Sequence, residues 1–587
     1  MPNQRFTALI LAAGKATRFK SSYPKVLHHL AGMPLGEYAL RAALAAGPEQ
    51  TYMVIGHQGE QVRTKFERPG LRFIAQKQPF GTGHALLAAR RELERSSSAA
   101  VMVLVGDAPL LRSETLLELA RAHLRATAAA TVLTTRLDNP HGYGRVLRAP
   151  AGGSRVRAIV EESACTAAQK RIREVSSGII CFDRRPLLNH LGQLTRDNPQ
   201  KEYLLTDLVP LFRRHGETVV AFPVEESAQV LGINDRLDLA RAEKILRARK
   251  AENLMREGVT IVNPDTTYID GDVRVGADSI LEPGVSLLGA TAVGSHCALR
   301  LGCTIADSTL GDRVTVRPYS MITGCDIASD VIIGPFAHLR DGAVLLPEAR
   351  VGNFVEVKKS RIGRRTKAWH LAYLGDAVLG HDVNVGAGTV TCNYDGERKN
   401  TTTIDDRAFI GSGTMIVAPV TIGRGAYVGA GSTITDDVPP EALALGRARQ
   451  VNKEGWAPSV HAERRPAFTD FQLSQRASGD VTILDLAGPL IMGAPVEEFH
   501  LKIRHLLGSG HRRVLVNMGR ITYVDSTGLG SLVAALTAFR KARGEFKLAA
   551  IPARVMTILE TARLNRALEI CPDEPSAIAG FHSRAES

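Results

Sequence analysis

Short apolar runs alternate with amphipathic stretches from Thr7 to about Asn234. Leu9 to Ala13, Met53-Val54-Ile55 and Val101–Val105 read as buried strands, and Ser113–Leu124 reads as a helix. Continuous apolar runs bounded by turn residues, alternating with helices, predict an α/β domain built on a mostly parallel sheet. Asp235 to Gly258 carries Leu237, Ala240, Ile245 and Leu254 on recurring faces among many Arg, Lys and Glu, which predicts one linking helix ended by Gly258. The pattern then changes period. From about Val259 to Val438, pairs of an aliphatic residue and Gly recur at intervals near multiples of six: Val275-Gly276, Val293-Gly294, Leu310-Gly311, Ile333-Gly334, Val351-Gly352, Val385-Gly386, Ile422-Gly423 and Val428-Gly429. Such hexapeptides predict a parallel β-helix in which each short strand buries one aliphatic side chain and each corner needs a small residue. Pro439 to Asp470 is rich in Pro, Ala and Arg and reads as a tail followed by a linker. Beyond it, strand-like Val481–Leu486, Val514–Val516 and Phe546–Ala550 and helix-like Leu529–Arg543 and Arg554–Thr561 predict a further α/β domain. The expected division is 1–234, a linking helix 235–258, a β-helix 259–457, a linker 458–470 and a last domain 471–587.

Composition narrows the function classes. A chain of 587 residues exceeds one core, in keeping with several domains. Its net charge of +13 is spread along the chain with few aromatic residues, unlike a nucleic-acid groove, and small anionic substrates account for it more simply. The seven cysteines, Cys165, Cys181, Cys297, Cys303, Cys325, Cys392 and Cys571, show no Cys-x-x-Cys spacing, which fits a reducing cytoplasm and argues against a zinc site. The apolar run Phe6 to Ala13 is too short to cross a bilayer and lacks the arrangement of a signal peptide, so neither export nor membrane insertion is expected.

Candidate chemistry starts where the first strand ends. Leu11-Ala12-Ala13-Gly14 leads into a loop with Lys15, Arg18 and Lys25, whose backbone N–H groups and cations suit the phosphates of a nucleoside triphosphate. The spacing is neither the P-loop nor the full dinucleotide fingerprint, since position 16 is Ala, and an ordinary strand-to-helix turn with solvated cations stays open. Asp107 ends an apolar strand, where a carboxylate holds Mg²⁺ on a triphosphate or else caps the next helix. Gln76, Gly81-Thr82-Gly83-His84, Gly142-Tyr143-Gly144-Arg145, Glu161 and Gly232-Ile233-Asn234 complete the set.

In order and spacing these residues resemble the sugar nucleotidyltransferases, with a Rossmann-like domain, and most closely the uridyltransferase half of the bacterial bifunctional family that makes UDP-N-acetylglucosamine. The resemblance spans about residues 5 to 457. It implies that Leu11 to Arg18 and Lys25 hold the UTP phosphates, with Arg18 and Lys25 countering charge at the reacting phosphorus. By the same likeness Gln76, Gly81 and Thr82 read uracil, Asp107 and Asn234 bind Mg²⁺, and Gly144, Glu161 and Ser177 meet the amino sugar. Ala16 stands where the family has Gly, and Ser177 where it has Asn.

Polar residues interrupt the hexapeptide repeat at Arg340, Glu356 to Lys359, His370 to Asp376, Asn384 and Thr391 to Gly396. Loops leaving a solenoid gather on one face, commonly the binding face. A single His beside Trp369 is by itself better read as a surface or packing residue. Together the residues resemble the acetyltransferase half of the same family, whose fold is a left-handed β-helix and whose cleft is shared between subunits of a trimer. The likeness implies His370 as general base toward the glucosamine-1-phosphate amine. It also implies Arg340, Lys358, Tyr373, Asn384 and Lys399 around the sugar phosphate, and Asn393, Tyr394, Ser412, Ala430 and Arg447 along coenzyme A. Gly413 stands where an Asp is common.

Tyr523-Val524-Asp525-Ser526-Thr527-Gly528-Leu529-Gly530 places two hydroxyls at a helix start after an apolar strand, and N-capping accounts for one of them. Residues 471 to 580 are similar to STAS domains, which implies Ser526 as a phosphate acceptor for a partner kinase, with a docking or purely structural role as the other reading. The combined expectation is a cytoplasmic, trimeric, Mg²⁺-dependent enzyme that uses acetyl-CoA and UTP, without nucleic-acid or membrane partners. Its product would feed peptidoglycan and lipopolysaccharide synthesis. Two alternatives stand beside it: a partner-binding regulator with weakened catalytic halves, and the same chemistry on another sugar phosphate.

Overall fold

The computed structural model describes residues 6–14, 16, 18–56, 58–150, 153–457 and 470–582. Lys15, residues 458–469 of the expected linker and the last residues of the chain lie outside that set. Two compact units are formed, 1–448 and 449–587.

In the first unit, apolar Phe6–Ala12 sits at the centre of a sheet. Gln50–Ile55 and Leu71–Ala75 lie on one side of it, and Ala100–Val105, Glu174–Asp183, Ala130–Arg136 and Val219–Pro223 on the other. Its neighbours Gln50–Ile55 and Ala100–Val105 run parallel to it, so the loops that bear function leave one edge together. Glu174–Asp183 enters antiparallel between its neighbours and breaks register between Ser176 and Ile180. The linking helix spans Arg236–Arg256, capped by the Asp235 carboxylate on the Leu237 and Asp238 N–H groups (both 2.9 Å), with Gly258 at φ 94° after its end. Its Ala242 and Leu239 pack with Phe19, Leu30, Leu110 and Ile233, tying the helix to the loop after the first strand.

From Thr260 onward, strands of a few residues stack into three parallel sheets of 11, 10 and 9 strands. Aliphatic residues such as Val316, Ile333 and Val351 fill the bore. The aliphatic-Gly repeat is there for a reason other than corner geometry. A Cβ on Gly386 would lie 2.5 Å from the Ser412 nitrogen, and one on Gly411 would lie 2.4 Å from the Ala430 nitrogen, so these glycines permit one coil to stack on the next. The expectation that each corner needs a small residue is corrected: left-handed corners are occupied by Tyr319, Phe336, Phe354, Arg313 and Asp330 among others. Each such residue costs about 1–2 kcal/mol, offset where side chains pair or stack between coils. Tyr319, Phe336 and Phe354 stack at 5.4 Å spacings, and Arg313 bridges Asp330. Val351, Ala368 and Val385 pair in successive coils, but the next partner is Ile410, because residues 393–401 leave the coil.

The second unit holds a five-stranded sheet in chain order, Gln472–Ser478, Val481–Leu490, Arg513–Val524, Glu545–Ala549 and Glu569–Cys571, with the first pair antiparallel and the rest parallel. Arg513–Val524 runs well past the expected Val516. Its polar Asn517 and Arg520 remain laddered to Val481–Leu490 through a register shift, which an apolar-run reading does not detect. Helix Ser526–Lys541 is capped by Asp525, whose Oδ1 accepts from Gly528 N–H at 2.7 Å; Ser526 and Thr527 are exposed first-turn residues rather than caps. All seven cysteines are free, and among the described residues no helix is long and apolar enough to cross a membrane.

Candidate active sites

The first site is a cavity of about 590 Å³ at the strand ends of the α/β sheet. Leu11, Ala12, Ala13, Gly14, Arg18 and Lys25 line one side, and Gly81, Thr82, Asp107 and Asn234 the others. Gly106 N–H donates to the Leu11 carbonyl at 2.9 Å, fixing the Asp107 turn against the first loop. The Lys25 ammonium pairs with the Asp107 carboxylate. Ile233 N–H donates to the Asp107 carbonyl at 2.9 Å, and the Asn234 amide nitrogen donates to the Gly232 carbonyl at 3.2 Å. That bond leaves the Asn234 amide oxygen as an acceptor in the same cavity as a carboxylate. Two hard oxygen donors beside a cationic loop fit a divalent cation that takes its other ligands from phosphate and water. Among the described residues no cluster of three or more His, Cys, Asp or Glu is arranged to hold a metal alone. The Ala16 methyl packs with the Phe19 cluster, and that position takes a side chain without entering the cavity lining.

Gln76 is buried and donates to the Gly81 carbonyl (3.1 Å), with His84 Nδ1 at 3.0 Å from the same nitrogen. It thereby shapes the Gly81-Thr82 turn from behind. Gly81 has φ 104°, and a Cβ there would lie 2.5 Å from the Tyr203 carbonyl, so this turn admits only Gly without movement. Gly144 faces Glu161, whose Oε1 accepts from the Thr206 hydroxyl at 2.9 Å. Burial raises the Glu161 carboxyl above its ordinary range, with Asp207 adding repulsion. Ser177 lies off the cavity. The strand irregularity turns its hydroxyl inward, where it donates to the Leu133 carbonyl (2.8 Å) and accepts from Ile179 N–H (3.0 Å).

Sequence reasoning named Arg145 within its string but gave it no role. Its guanidinium is 2% exposed, pairs with Glu162 at 2.6 Å and donates to the Tyr143 carbonyl, while Gly142 N–H reaches the same Glu162 at 3.3 Å. This clamp holds the Gly142 to Gly144 turn against the Glu161 segment. The adjoining Gly-Tyr-Gly-Arg string was the available signal.

The second site follows the solenoid surface. Arg340, Lys358 and Gly375 are register partners in successive coils, and the Tyr373 ring folds back so that a Cβ on Gly375 would lie 2.4 Å from its hydroxyl. Lys399, on the excursion 393–401, stands beside Lys358, and the nearness of the two cations pushes the Lys358 ammonium below its ordinary range. Like charges gathered this closely suit a phosphate dianion. Glu356 partly balances them through Arg340 at 2.9 Å. Asn384 is not in this group: it pairs with Lys367 on another of the three sheets. His370 is exposed and meets Asn353 in the preceding coil, Nδ1 to Oδ1 at 2.6 Å. Asn393 is tied to Asp376 at 2.6 Å, and Tyr394 stands 61% exposed on the excursion. Ser412 and Ala430 each follow a stacked Gly, 411 and 429, in adjacent coils, and Arg447 is exposed. Gly413 occupies a left-handed corner (φ 70°) stacked between Gly388 and Gly431, a position that suits Gly better than Asp.

A cavity lined by a Gly-bearing loop with Arg18 and Lys25 at the strand ends of an α/β sheet, followed by a hexapeptide solenoid with a cationic face, defines a nucleotidyltransferase fused to an acyltransferase. The chain matches the MobA-like NTP transferase domain over residues 8–261, the bacterial transferase hexapeptide (six repeats) over 401–436 and the STAS domain over 472–577. It is 47% identical over 465 residues to the bifunctional protein GlmU of Koribacter versatilis, covering 79% of this chain and 99% of that protein. Identity is 47% over 450 residues to that of Trichlorobacter lovleyi, covering 76% and 97%, and 50% over 473 residues to that of Anaeromyxobacter dehalogenans, covering 79% and 96%. The chain belongs to the GlmU family of bifunctional proteins. It is an enzyme with uridyltransferase and acetyltransferase activities, and the part of it beyond those matches includes the STAS domain.

Proposed function

We propose that the chain makes UDP-N-acetylglucosamine in two steps, using acetyl-CoA, UTP and Mg²⁺, with a separate site for each step. The observation that carries this reading is the pairing of two unlike sites within residues 1–448: the Lys25/Asp107/Asn234 cavity, and the Arg340/Lys358/Lys399 cluster near the His370 coil.

In acetyl transfer the glucosamine-1-phosphate amine attacks the thioester carbonyl. A C–N bond forms, the C–S bond breaks, the amine proton passes to His370 Nε2 and coenzyme A leaves as thiolate. Arg340, Lys358, Tyr373 and Lys399 hold the sugar phosphate, while Asn393, Tyr394, Ser412, Ala430 and Arg447 line the coenzyme A path. Asn384, on a different sheet from the cationic cluster, contributes from a neighbouring copy in a trimer. In uridylyl transfer a phosphate oxygen of N-acetylglucosamine-1-phosphate attacks the α-phosphorus of UTP, a P–O bond forms, and the bond to pyrophosphate breaks. Leu11 to Gly14 orient the triphosphate, and Arg18 and Lys25 stabilise the departing charge. Asp107 and Asn234 hold Mg²⁺, which neutralises the triphosphate when bound. Gln76, Gly81 and Thr82 read the base, and Gly144 and Glu161 the amino sugar.

The domains divide at 1–234, 235–258, 259–457 and 471–587, and the enzyme works in the cytoplasm. The STAS domain docks a protein partner, with exposed Ser526 as its phosphate acceptor. Gel filtration with light scattering tests the trimer, and phosphate incorporation into Ser526→Ala against the unaltered chain tests the acceptor. The catalytic reading is tested by assaying thiol release and pyrophosphate release separately on Lys358→Ala and Lys25→Ala, each of which should lose only its own reaction.

A further inference from the structure

We infer that Asn353 is a positioning residue for acetyl transfer, fixing the proton of His370 on Nδ1 so that Nε2 is the free lone pair. The inference rests on the assignment of His370 as the base. An amide oxygen only accepts hydrogen bonds, so the contact of Asn353 Oδ1 with His370 Nδ1 at 2.6 Å assigns the donor role to Nδ1–H of the neutral imidazole. Nε2 is then unprotonated and available to the substrate amine. In the opposite tautomer the amide oxygen would face a ring lone pair, and Nε2 would carry a proton it must lose before acting.

The backbone makes this contact rigid. Asn353 and His370 are register partners of adjacent parallel strands, Arg350–Asn353 and Lys367–His370, and Leu371 N–H donates to the Asn353 carbonyl at 3.0 Å. Phe354 and Leu371, the residues that follow them, both turn the corner with positive φ (55° and 47°), so the two side chains leave equivalent points of consecutive coils. Trp369 is braced from the other side: the Arg317 guanidinium lies 5.7 Å from its ring centroid, and Gly352 leaves room for its carbonyl, where a Cβ would approach to 1.9 Å. Other contacts between coils on this surface, such as Arg313–Asp330 and Arg365–Asp382, join opposite charges. The Asn353–His370 pair is instead a one-way donor and acceptor, which is what sets a tautomer.

The test is steady-state kinetics of acetyl-CoA-dependent thiol release by full-length Asn353→Leu, Asn353→Asp and His370→Ala, with pyrophosphate release from UTP and supplied N-acetylglucosamine-1-phosphate as the control for folding. Asn353→Leu keeps the shape and removes the acceptor, and its kcat should fall about 10- to 100-fold while KM for both substrates stays within about threefold. Asn353→Asp keeps an acceptor oxygen and should recover most of that loss. Asn353→Leu with kcat within about threefold of the unaltered enzyme, or Asn353→Asp as impaired as Asn353→Leu, overturns the inference. If His370→Ala keeps acetyl transfer, the base assignment fails and this inference with it. If His370→Ala is inactive and Asn353→Leu is not, the inference alone fails.

Discussion

The two catalytic regions organise their chemistry in opposite ways. In the α/β region, residues far apart in sequence, Gly14, Lys25, Asp107 and Asn234, are carried by loops at one edge of the sheet and enclose a single cavity. In the β-helix, equivalent positions of successive coils present Arg340, Lys358 and the Tyr373/Gly375 pair as a column on an open surface, and Asn384 lies on a different sheet from them. Convergence by topology gives a site that one chain can enclose. Repetition by stacking gives a strip, which becomes a cleft only when something faces it.

The comparison breaks most sharply at Asp107. Asp107→Ala removes the partner of Lys25 and one oxygen of the cation pair, and pyrophosphate release should drop at least ~10³-fold with thiol release unchanged. Equal loss of both activities would contradict the separation of the sites. Gly411→Val tests the stacking side. A Cβ 2.4 Å from the Ala430 nitrogen must part the coils, at a cost on the order of 3 kcal/mol or more. Melting of the β-helix and acetyl transfer should both suffer, while pyrophosphate release at low temperature persists.

A third prediction uses acid. His123 is buried against Thr131, and burial depresses its imidazole from 6.5 to about 4. The unfolded chain binds that proton first, so the contribution is intact above pH 6.5 and is lost as pH falls from there toward 4. At about 1.4 kcal/mol per pH unit the loss is on the order of 3 kcal/mol. His123→Gln should flatten the pH dependence of melting for the α/β region across that window, whereas an unchanged slope would assign the acid sensitivity elsewhere. The smallest effect belongs to Ser177. Ser177→Ala orphans the Leu133 carbonyl and the Ile179 N–H, costing roughly 1–2 kcal/mol of stability, but KM for the sugar phosphate should move less than about twofold. A larger KM change would return this residue to the sugar site.

Much of this was legible in the chain because the relevant signals are local. The strand-Gly-basic loop, the Asp after an apolar run and the aliphatic-Gly repeat each state their structure within a few residues, and they belong to elements that formed where expected. The reason for the repeat's glycines was not legible, since it lies in the backbone of the next coil rather than in the corner's own φ. The bonding of Ser177 was hidden for a similar reason: it lies at a break in register, invisible to pattern, where its hydroxyl donates to the Leu133 carbonyl. Asn353 carries no motif at all. Its meaning depends on a coil length that sets it beside His370, and only the folded register supplies that. The string that contains Arg145 does not say what its guanidinium meets; only the fold shows it buried and paired with Glu162.

The central claim is that one chain runs two chemistries in two independent sites. The most direct measurement follows thiol release and pyrophosphate release by the purified full-length protein given glucosamine-1-phosphate, acetyl-CoA, UTP and Mg²⁺, alongside His370→Ala. Both products should appear with the unaltered chain, and His370→Ala should lose thiol release alone, with pyrophosphate release intact when N-acetylglucosamine-1-phosphate is supplied. Failure of the folded protein to give either product, or loss of both in His370→Ala, would contradict the account.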